Sequence, residues 1–562
     1  MTKSSGTQDS HASVKSSGTV AVAIAALCYG LLVWALLPVR VIALNDDFGY
    51  YRSILATLDH HRPWTDDWLE PWAASLSAIS AGVYKITGSF MLATQGLQAV
   101  LSGFLFFFLA KAFQARRAPA SAALVAALAV VVFPTLIWKQ LEFGGLCLYL
   151  PCLAGVIFFY ERKRWGTFAI CWGLAIACRQ SAVAWGMLPA FSAIREWRQR
   201  RKIPAGETLA LVSGIAVFFL AAATMNPTHA QRVADRNLLA HVRSSEFLEH
   251  LLRGAGVFLT GAGISLALAA RGGVLAQRPR WREAARGAFG LAVPVAAFAA
   301  LRHGVGFEHE GLSGERGGWM MAGLGALSSI GWWGGGRFRA DFTLCAAGCL
   351  AIAGLRGIVW DYYYVDVALF ALFSTVPVEK KSPSDRSPSW RVFMSAAPAV
   401  IGALVIFLSA QFALKTKRQF DGHAGVIALC EEALRNRSIA RSDLAMPPFG
   451  YAGWHLYPYF ITHEGRDQPN IAGFVDYLKP GSLKLETRGA SDPRPIENPE
   501  TIVAQGDFRI MWRERHHFIL RRAETAGDAK LPLSDPRAPS DWFPLNDAEW
   551  RKYTDGTPRR PK

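Results

Sequence analysis

Charge is scarce in the long segments of this sequence. Only 18% of its 562 residues are charged, whereas 51% are hydrophobic. Runs of about 20 residues, such as 89–112 and 120–138, carry no charge until their ends, and this length is enough to cross the hydrocarbon core of a bilayer. A soluble chain of this length would divide into several domains of average polarity. The composition therefore excludes that class and predicts a polytopic membrane protein.

Cysteine pairs with a disulfide or metal-ligand spacing are also missing. Seven of the eight cysteines fall in apolar segments, where a thiol behaves as a small hydrophobe. Only Cys430 lies in a polar region. The sequence thus excludes a disulfide framework and a CxxC metal site.

The apolar segments between residues 89 and 355 lack an acid, a basic residue or a histidine near their midpoints. Ion-coupled transporters need such groups to bind the coupling ion. This pattern argues against a pump-like transporter. A lipid or solute transporter without ion coupling is one alternative function, which flux into proteoliposomes would test.

Acidic residues are fewer than basic ones, with 43 Asp and Glu against 60 Lys and Arg and a net charge of +17. In a membrane protein this excess reports the orientation of the loops, not a nucleic-acid partner. Alternate loops hold 22 basic residues on one side and 13 on the other, which predicts a cytoplasmic amino terminus. We predict thirteen transmembrane helices: 19–44, 89–112, 120–138, 145–160, 165–178, 181–194, 207–224, 255–270, 287–301, 318–333, 341–355, 360–377 and 392–414.

The segment 165–194 decides this topology, because Arg179 and Gln180 interrupt it. One long helix would reverse every later loop and destroy the charge bias, so two helices are favoured. The odd number of spans then places residues 415–562 outside the cytoplasm.

The two ends of the chain differ from its apolar middle. Residues 1–18 resemble a disordered cytoplasmic tail, and the long first span lacks a cleavage site, so we expect an anchor. Residues 415–562 predict a small soluble α/β domain in the periplasm. Within it, Thr501–Trp512 and His516–Arg522 alternate like the strands of a hairpin.

The first external loop, residues 45–88, is the richest in polar groups. Hydrophobic residues recur at helical spacing after Asp47 and again after Trp72, which predicts two amphipathic helices at the membrane interface. Asp46 and Asp47 stand before the first of them, where capping and catalysis are both consistent with the pattern. A second acidic set lies between the helices and comprises Asp66, Asp67 and Glu70. With His60 and His61 it suggests either a solvated loop or a site for a divalent cation, the candidate cofactor.

The sequence resembles the GT-C membrane glycosyltransferases in four features. These are an acidic pair after the first span, an aromatic helix, a second acidic group in the same loop and an external carboxy-terminal domain. Within that superfamily, the layout of residues 19–414 is similar to the aminoarabinose and protein-mannosyl transferase-like branch. The segment Cys178-Arg179-Gln180-Ser181 resembles the Arg-Gln-Thr element of the dolichol-linked glucosyltransferases. Where the mannosyltransferase-like branch has Lys-Pro-Pro, this chain has Glu70-Pro71-Trp72, so the phosphate-contacting lysine of that branch is missing.

The resemblance implies an inverting enzyme of the bacterial inner membrane that serves the synthesis of lipopolysaccharide or another envelope polysaccharide. Such an enzyme passes a sugar from a polyprenyl-phosphate donor to a glycan, lipid or protein acceptor at the periplasmic face. The acceptor loses a proton as it attacks, so a carboxylate is needed as base, and Asp46 or Asp47 is the candidate. Cations must meet the departing phosphate.

The candidate cations at the external ends of the helices are Arg179, Arg356 and Lys139. Arg179 either binds phosphate or extends to the interface, and Lys139 either binds phosphate or pairs with Glu142. The candidate lining of the substrate cavity comprises Gln180, Tyr362, Tyr363 and Asp366. An aromatic belt accounts for the tyrosines but not for Asp366, one helical turn beyond Asp361.

A second enzymatic alternative is a polysaccharide polymerase or ligase that uses a lipid-diphosphate oligosaccharide. Such an enzyme predicts paired arginines in a large external loop. Arg232, Arg236 and Arg243 are a partial match to that pattern.

Overall fold

The computed structural model of the chain describes most residues up to 223 and shorter parts beyond. The described residues are 8–37, 47–63, 65, 74–116, 120–132, 134–223, 337–354, 364–376, 407, 410–411, 413–414, 417, 444–445, 483–489, 502–510 and 514–522. The predicted spans 255–270, 287–301 and 318–333 and almost all of 392–414 lie outside these residues. The number of thirteen spans therefore stays a prediction.

Helices follow the apolar segments in the part of the chain described. They are α1 (Gln8–Leu36), α2 (Asp47–His60), α3 (Ala74–Thr87), α4 (Leu97–Ala115), α5 (Ala120–Val131), α6 (Pro134–Leu141), α7 (Gly145–Glu161), α8 (Trp165–Ile176), α9 (Met187–Arg200), α10 (Ala205–Ala223), α11 (Ala340–Gly354) and α12 (Val365–Leu372). A π-helical turn, Leu92–Gly96, precedes α4, and a 3₁₀ helix, Gln180–Gly186, precedes α9. Among these residues, Gly18–Leu36, Leu92–Ala115 and Ala205–Ala223 are long and apolar enough to cross a membrane.

Helix α1 begins before its apolar segment. Residues 8–18 belong to this helix, although their Ser-rich composition predicts a disordered tail. Once an apolar segment has nucleated a helix, each added residue gains a hydrogen bond at little further cost. A Ser-rich composition at residues 8–18 therefore does not exclude helix there.

Small residues allow α1 and α4 to pack closely. A Cβ atom built at Gly30 would lie 2.9 Å from the Ala99 carbonyl oxygen, and one at Gly103 would lie 3.0 Å from the Ala26 carbonyl oxygen. Backbones approach this closely in membrane helices where glycines face the partner. The Tyr29 ring stacks on Phe106 in the same contact, at 5.4 Å between centroids.

The predicted span 120–138 is two helices, and this part of the prediction is wrong. Helix α5 ends at Val131, and α6 begins at Pro134. Proline has no N–H to donate and restricts the residue before it, so it starts a helix more readily than it continues one.

The chain reverses at Arg179, as the charge pattern predicts. Arg179 is extended, with φ −159° and ψ 129°, between α8 and the 3₁₀ helix. Lys163, just before α8, lies 3.9 Å from Glu196 near the end of α9. Two helical segments therefore run in opposite directions between residues 165 and 200. One long helix is excluded.

Later parts of the chain add two helices and two sheets. Antiparallel strands β1 (Arg337–Phe338) and β2 (Thr375–Val376) flank α11 and α12. Near the carboxyl terminus, β3 (Leu444–Ala445), β4 (Leu483–Gly489), β5 (Ile502–Ile510) and β6 (Glu514–Arg522) form a sheet in the order β3-β4-β6-β5. The predicted hairpin is confirmed as the antiparallel pair β5–β6. The boundaries of the three predicted regions and the α/β class of the last one stay predictions.

Candidate functional site

Arg179 is buried at one end of the helical bundle. Its backbone N–H donates to the Ala175 carbonyl oxygen at 2.7 Å, and its side chain is only 5% exposed. The guanidinium carbon lies 5.6 Å from the centroid of the Tyr149 ring. Such contact between a cation and an aromatic face is attractive and strengthens where water is excluded. The side chain of Arg179, the residue predicted to bind phosphate, is therefore directed into the bundle, against α7.

Tyr149 also connects Arg179 to Asp366. The Tyr149 hydroxyl donates to Asp366 Oδ2 at 2.8 Å, and the two residues are 1% and 2% exposed. The Ser181 hydroxyl lies 2.8 Å from the Tyr149 oxygen and donates to it, because the phenol has a single proton. The main-chain N–H of Val367 bonds the other oxygen of the Asp366 carboxylate, at 3.0 Å. Sequence reasoning identified Arg179 and Asp366, and the structure links them through Tyr149.

Two residues of this cluster, Tyr149 and Ser181, were missed in the sequence. The available signal was weak: a single tyrosine within an apolar helix needs a partner for its hydroxyl. The partner lies 217 residues away along the chain, so spacing could not reveal it. Trp185, whose ring centroid is 4.9 Å from that of Tyr149, was missed for the same reason.

Helix α2 of the first loop packs close to Arg179. It begins at Asp47, and Tyr50, one turn later, lies against Gly144 and Gly145. A Cβ atom at Gly145 would stand 2.9 Å from the Tyr50 hydroxyl, so only glycine allows this approach without a shift of the ring. The Cys178 thiol donates to the Gly145 carbonyl oxygen at 2.9 Å. Hence the start of α2 and the Arg179 segment meet at the beginning of α7.

Helix α3 reaches the same place from the other end of the loop. The Ser75 N–H donates to the Ala177 carbonyl oxygen, and its hydroxyl donates to the Leu174 carbonyl oxygen, both at 3.1 Å. Both segments predicted as helices in the first loop are helical, and both bury part of their apolar face in the bundle, as Tyr51 and Leu76 show. Their position at the membrane interface stays a prediction.

Lys139 is buried nearby and is paired. Its ammonium lies 2.6 Å from Glu142 Oε2, and the Trp138 indole N–H donates to the same oxygen at 3.1 Å. Cys147, in the first turn of α7, donates to the Glu142 carbonyl oxygen. Lys139 therefore pairs with Glu142, and its role in phosphate binding stays a prediction. The ion pair lies at the same end of α7 as Tyr149.

The structure describes only some of the remaining predicted site residues. Gln180 begins the 3₁₀ helix and is half-buried. For Asp47 only the backbone is described. The other predicted site residues lie outside the described part of the chain: Asp46, Asp66, Asp67, Glu70, Arg356, Tyr362 and Tyr363. Within the described part of the chain, no three His, Cys, Asp or Glu residues are placed to hold a metal ion. The divalent cation stays a prediction.

Opposite this polar cluster, a second network joins the far ends of the helices. Arg116 and Arg339 both bind Glu161 Oε1, at 3.0 and 2.5 Å, and Arg339 also binds Asp341 at 2.5 Å. Tyr160 donates to the same Asp341 carboxylate at 2.7 Å. Burial lowers the pKa of Arg339, but hydrogen bonds and charges from Asp341 and Glu161 outweigh it, so the pKa is raised above its ordinary value. This network is fully paired and holds α4, α7 and α11 together.

Taken together, the apolar helices and their two polar ends define an integral membrane protein. No known protein family matches the sequence, and no curated protein matches it. Among solved structures, the chain is similar to the crystal structure of ArnT from Cupriavidus metallidurans bound to undecaprenyl phosphate. The identity is 13% and the TM-score 0.42, over 90% of this chain and 98% of the other. A likeness of this degree does not assign an activity.

Proposed function

We propose that this protein is a membrane glycosyltransferase of the GT-C type. It transfers a sugar from a polyprenyl-phosphate donor to a glycan, lipid or protein acceptor at the periplasmic face of the inner membrane. One observation carries the proposal: Tyr50 of the first-loop helix that begins at Asp47, and Cys178, the residue before the buried Arg179, both contact Gly145 at the start of α7. A candidate base and a candidate phosphate ligand therefore belong to one end of the bundle.

The acidic pair supplies the base. The acceptor hydroxyl or amine must lose a proton as it attacks the sugar, and a carboxylate within hydrogen-bond reach accepts it. Helix α2 begins at Asp47, Asp46 directly precedes it in the sequence, and a helix amino terminus favours the negative form of a carboxylate. Capping and catalysis are compatible at this position, because a helix amino terminus stabilises the charged form of a carboxylate, which is the form that accepts a proton.

Arg179 supplies the cation for the leaving phosphate. A guanidinium carries five donors in one plane, an arrangement that matches the oxygens of a phosphate, and that of Arg179 lies 5.6 Å from the centroid of the Tyr149 ring. The phosphate of the donor lipid gains charge as the bond to the sugar breaks. An arginine held in a site with little water stabilises that charge more than an exposed one does.

Tyr149 and Asp366 hold Arg179 in place. The ring beneath the guanidinium is fixed by its hydroxyl, which bonds both Asp366 and Ser181. These bonds come from α7, α12 and the 3₁₀ helix, so three elements determine the orientation of one ring. A pre-organised cation loses less free energy to reorganisation when charge develops. Asp366 is thus assigned a positioning role, through Tyr149.

The test is to replace both members of the acidic pair, Asp46→Asn and Asp47→Asn, and to measure sugar transfer in membranes. We expect transfer to fall by about 100-fold or more, since general base catalysis contributes about 10²–10⁴-fold. Asp59→Asn is the matched control, because Asp59 is an exposed acid in the last turn of the same helix. Undiminished transfer by a well-folded double variant would reject the assignment.

Glycan analysis of a strain without the protein separates the rival functions. Loss of a single sugar, with accumulation of one lipid-linked sugar, supports this proposal. Altered chain length with an unchanged repeat composition supports a polymerase or ligase. Lipid or solute flux through the purified protein in proteoliposomes, without transfer, supports a transporter.

A further inference from the structure

Two turns of the chain meet at the end of the bundle opposite Arg179. The turn between α7 and α8 follows Glu161, and the last residues of α9 lie beside it, joined by the contact of Lys163 with Glu196 at 3.9 Å. Their basic residues are all exposed and form what we call the basic surface. It comprises Arg162, Lys163, Arg164, Arg195, Arg198, Arg200, Arg201 and Lys202.

Acidic residues neutralise little of this surface. Glu196 is the one acid within residues 162–164 and 195–202, and it contacts two of the cations, Lys163 at 3.9 Å and Arg200 at 3.1 Å. The nearby Glu161 is engaged by the arginines of the other network. The surface therefore keeps a strong positive excess.

Large apolar side chains are exposed within and beside the basic surface. Trp197 is 47% exposed and Ile203 is 77% exposed. Arg201 has a left-handed backbone, with φ 55°, and its N–H donates to the Trp197 carbonyl oxygen at 2.8 Å. This turn brings the Arg201 guanidinium to 5.7 Å from the Trp197 ring centroid. An exposed indole beside cations is the composition that a membrane–water boundary favours.

The direction of α9 agrees with a position of the basic surface at the membrane–water boundary. Its first half is packed in the bundle, where Leu188 is buried and the Ser192 hydroxyl donates to Glu207. Its last turn is exposed and basic. The helix therefore leaves the apolar bundle where its basic residues begin.

We propose that the basic surface binds the headgroups of anionic phospholipids, with Trp197 and Ile203 at the boundary of the acyl chains. Negative headgroups attract basic segments next to a membrane helix, and long basic side chains extend to reach them. The flanking apolar side chains select a lipid over a free phosphate ion, which has no acyl chain for them to contact. This binding does not depend on the proposed sugar transfer.

The experiment compares two charge-matched double variants of the full-length protein in bilayers of phosphatidylcholine with phosphatidylglycerol. Spin-labelled phosphatidylglycerol and spin-labelled phosphatidylcholine report how strongly each lipid associates with the protein. One variant is Arg198→Gln with Arg201→Gln. The control, Arg62→Gln with Lys85→Gln, removes two exposed charges from the first loop.

We expect the wild type and the control to bind phosphatidylglycerol more strongly than phosphatidylcholine. In the Arg198/Arg201 variant, the ratio of the two association constants should fall about fivefold for each charge removed. Arg198→Lys with Arg201→Lys should restore it, and high salt should weaken it in every protein. Unfolding midpoints of all variants show whether they remain folded. An unchanged preference in the Arg198/Arg201 variant, or an equal loss in the control, overturns the proposal.

Discussion

Arg179 owes its position to one residue of extended backbone between two helices. If Arg179 were helical, its side chain would take the next position around the axis of α8. The extended conformation instead turns the guanidinium toward Tyr149. Placing a charge near hydrocarbon costs about 2.5–3.5 kcal/mol on insertion scales. The aromatic face and the nearby Asp366 offset part of that cost, and a phosphate ligand would offset more.

Arg179→Gln should lower the kcat/KM of sugar transfer by about 10- to 150-fold, since a hydrogen bond to a charged group contributes about 1.5–3 kcal/mol. Arg179→Lys should recover only part of the loss, because lysine lacks the planar donors. The measurement is transfer at varied donor concentration. Lys85→Gln, an exposed charge on α3, is the control. Equal activity in Arg179→Gln and Lys85→Gln would show that Arg179 does not meet the phosphate.

Tyr149→Phe should lower the free energy of unfolding by about 1–3 kcal/mol, because it leaves the buried Asp366 carboxylate without its hydroxyl donor. A double-mutant cycle with Asp366→Asn should give a coupling of about 0.5–3 kcal/mol between the two residues. Unfolding in mixed detergent and SDS micelles provides both values. Strictly additive effects would mean that the hydrogen bond does not contribute in the membrane.

At the scale of elements, pairs of side chains at the two polar ends hold helices that are distant in sequence. Arg116 follows α4, Glu161 ends α7, and Arg339 precedes α11. Their shared ion pairs are partly shielded from water, and aromatic rings cover both arginines: Phe342 lies 5.2 Å from Arg116 and 4.5 Å from Arg339. Removal of the one acid that both arginines share therefore leaves two like charges close together.

Glu161→Gln should lower the free energy of unfolding by about 1–3 kcal/mol, which is less than for a fully buried ion pair because water still reaches the edge of the network. Glu196→Gln is a matched control: Glu196 contacts two cations, but both are exposed, so its loss should cost less than about 1 kcal/mol. Unfolding in SDS titrations compares the two. A similar effect of both substitutions would show that the network does not stabilise the bundle.

At the scale of the whole molecule, the described helices separate two kinds of polar chemistry. One end has the buried groups Arg179, Asp366 and the Lys139–Glu142 pair, and the other has the exposed basic surface. Because α7 runs from one to the other, from Gly145 to Glu161, the two ends face opposite sides of any bilayer that the bundle crosses. The basic end is the side that the charge bias assigns to the cytoplasm.

Labelling of single cysteines tests this orientation. In a cysteine-free background, Lys163→Cys and Lys202→Cys should react with a membrane-impermeant maleimide only in inverted vesicles. Lys85→Cys, exposed on α3, should react from the periplasmic side of intact spheroplasts. The expected contrast follows from the preference of basic loops for the cytoplasm. The reverse pattern at all three positions would place the proposed site on the wrong side of the membrane.

Much of the local structure was predictable from the sequence. Apolar length predicts α4 and α7, and helical periodicity predicts α2 and α3, because these patterns depend on neighbours within one element. The reversal at Arg179 followed from charge counting. Pro134 indicates a break between two helices, but the apolar residues on both sides of it led to the prediction of a single span. Tyr149 was missed, because an isolated hydroxyl in an apolar helix has no local pattern.

The sequence by itself determined that the chain belongs in a membrane, where most of the described helices lie and which loops are basic, since these properties depend on transfer of local segments between water and lipid. Only the tertiary structure decided which polar residues meet. Tyr149 and Asp366 are 217 residues apart and meet at 2.8 Å, because α12 packs against α11, and α11 packs against the 3₁₀ helix that holds Ser181 beside Tyr149. Hydrogen bonds act over a few ångströms in space and leave no periodic trace along the chain.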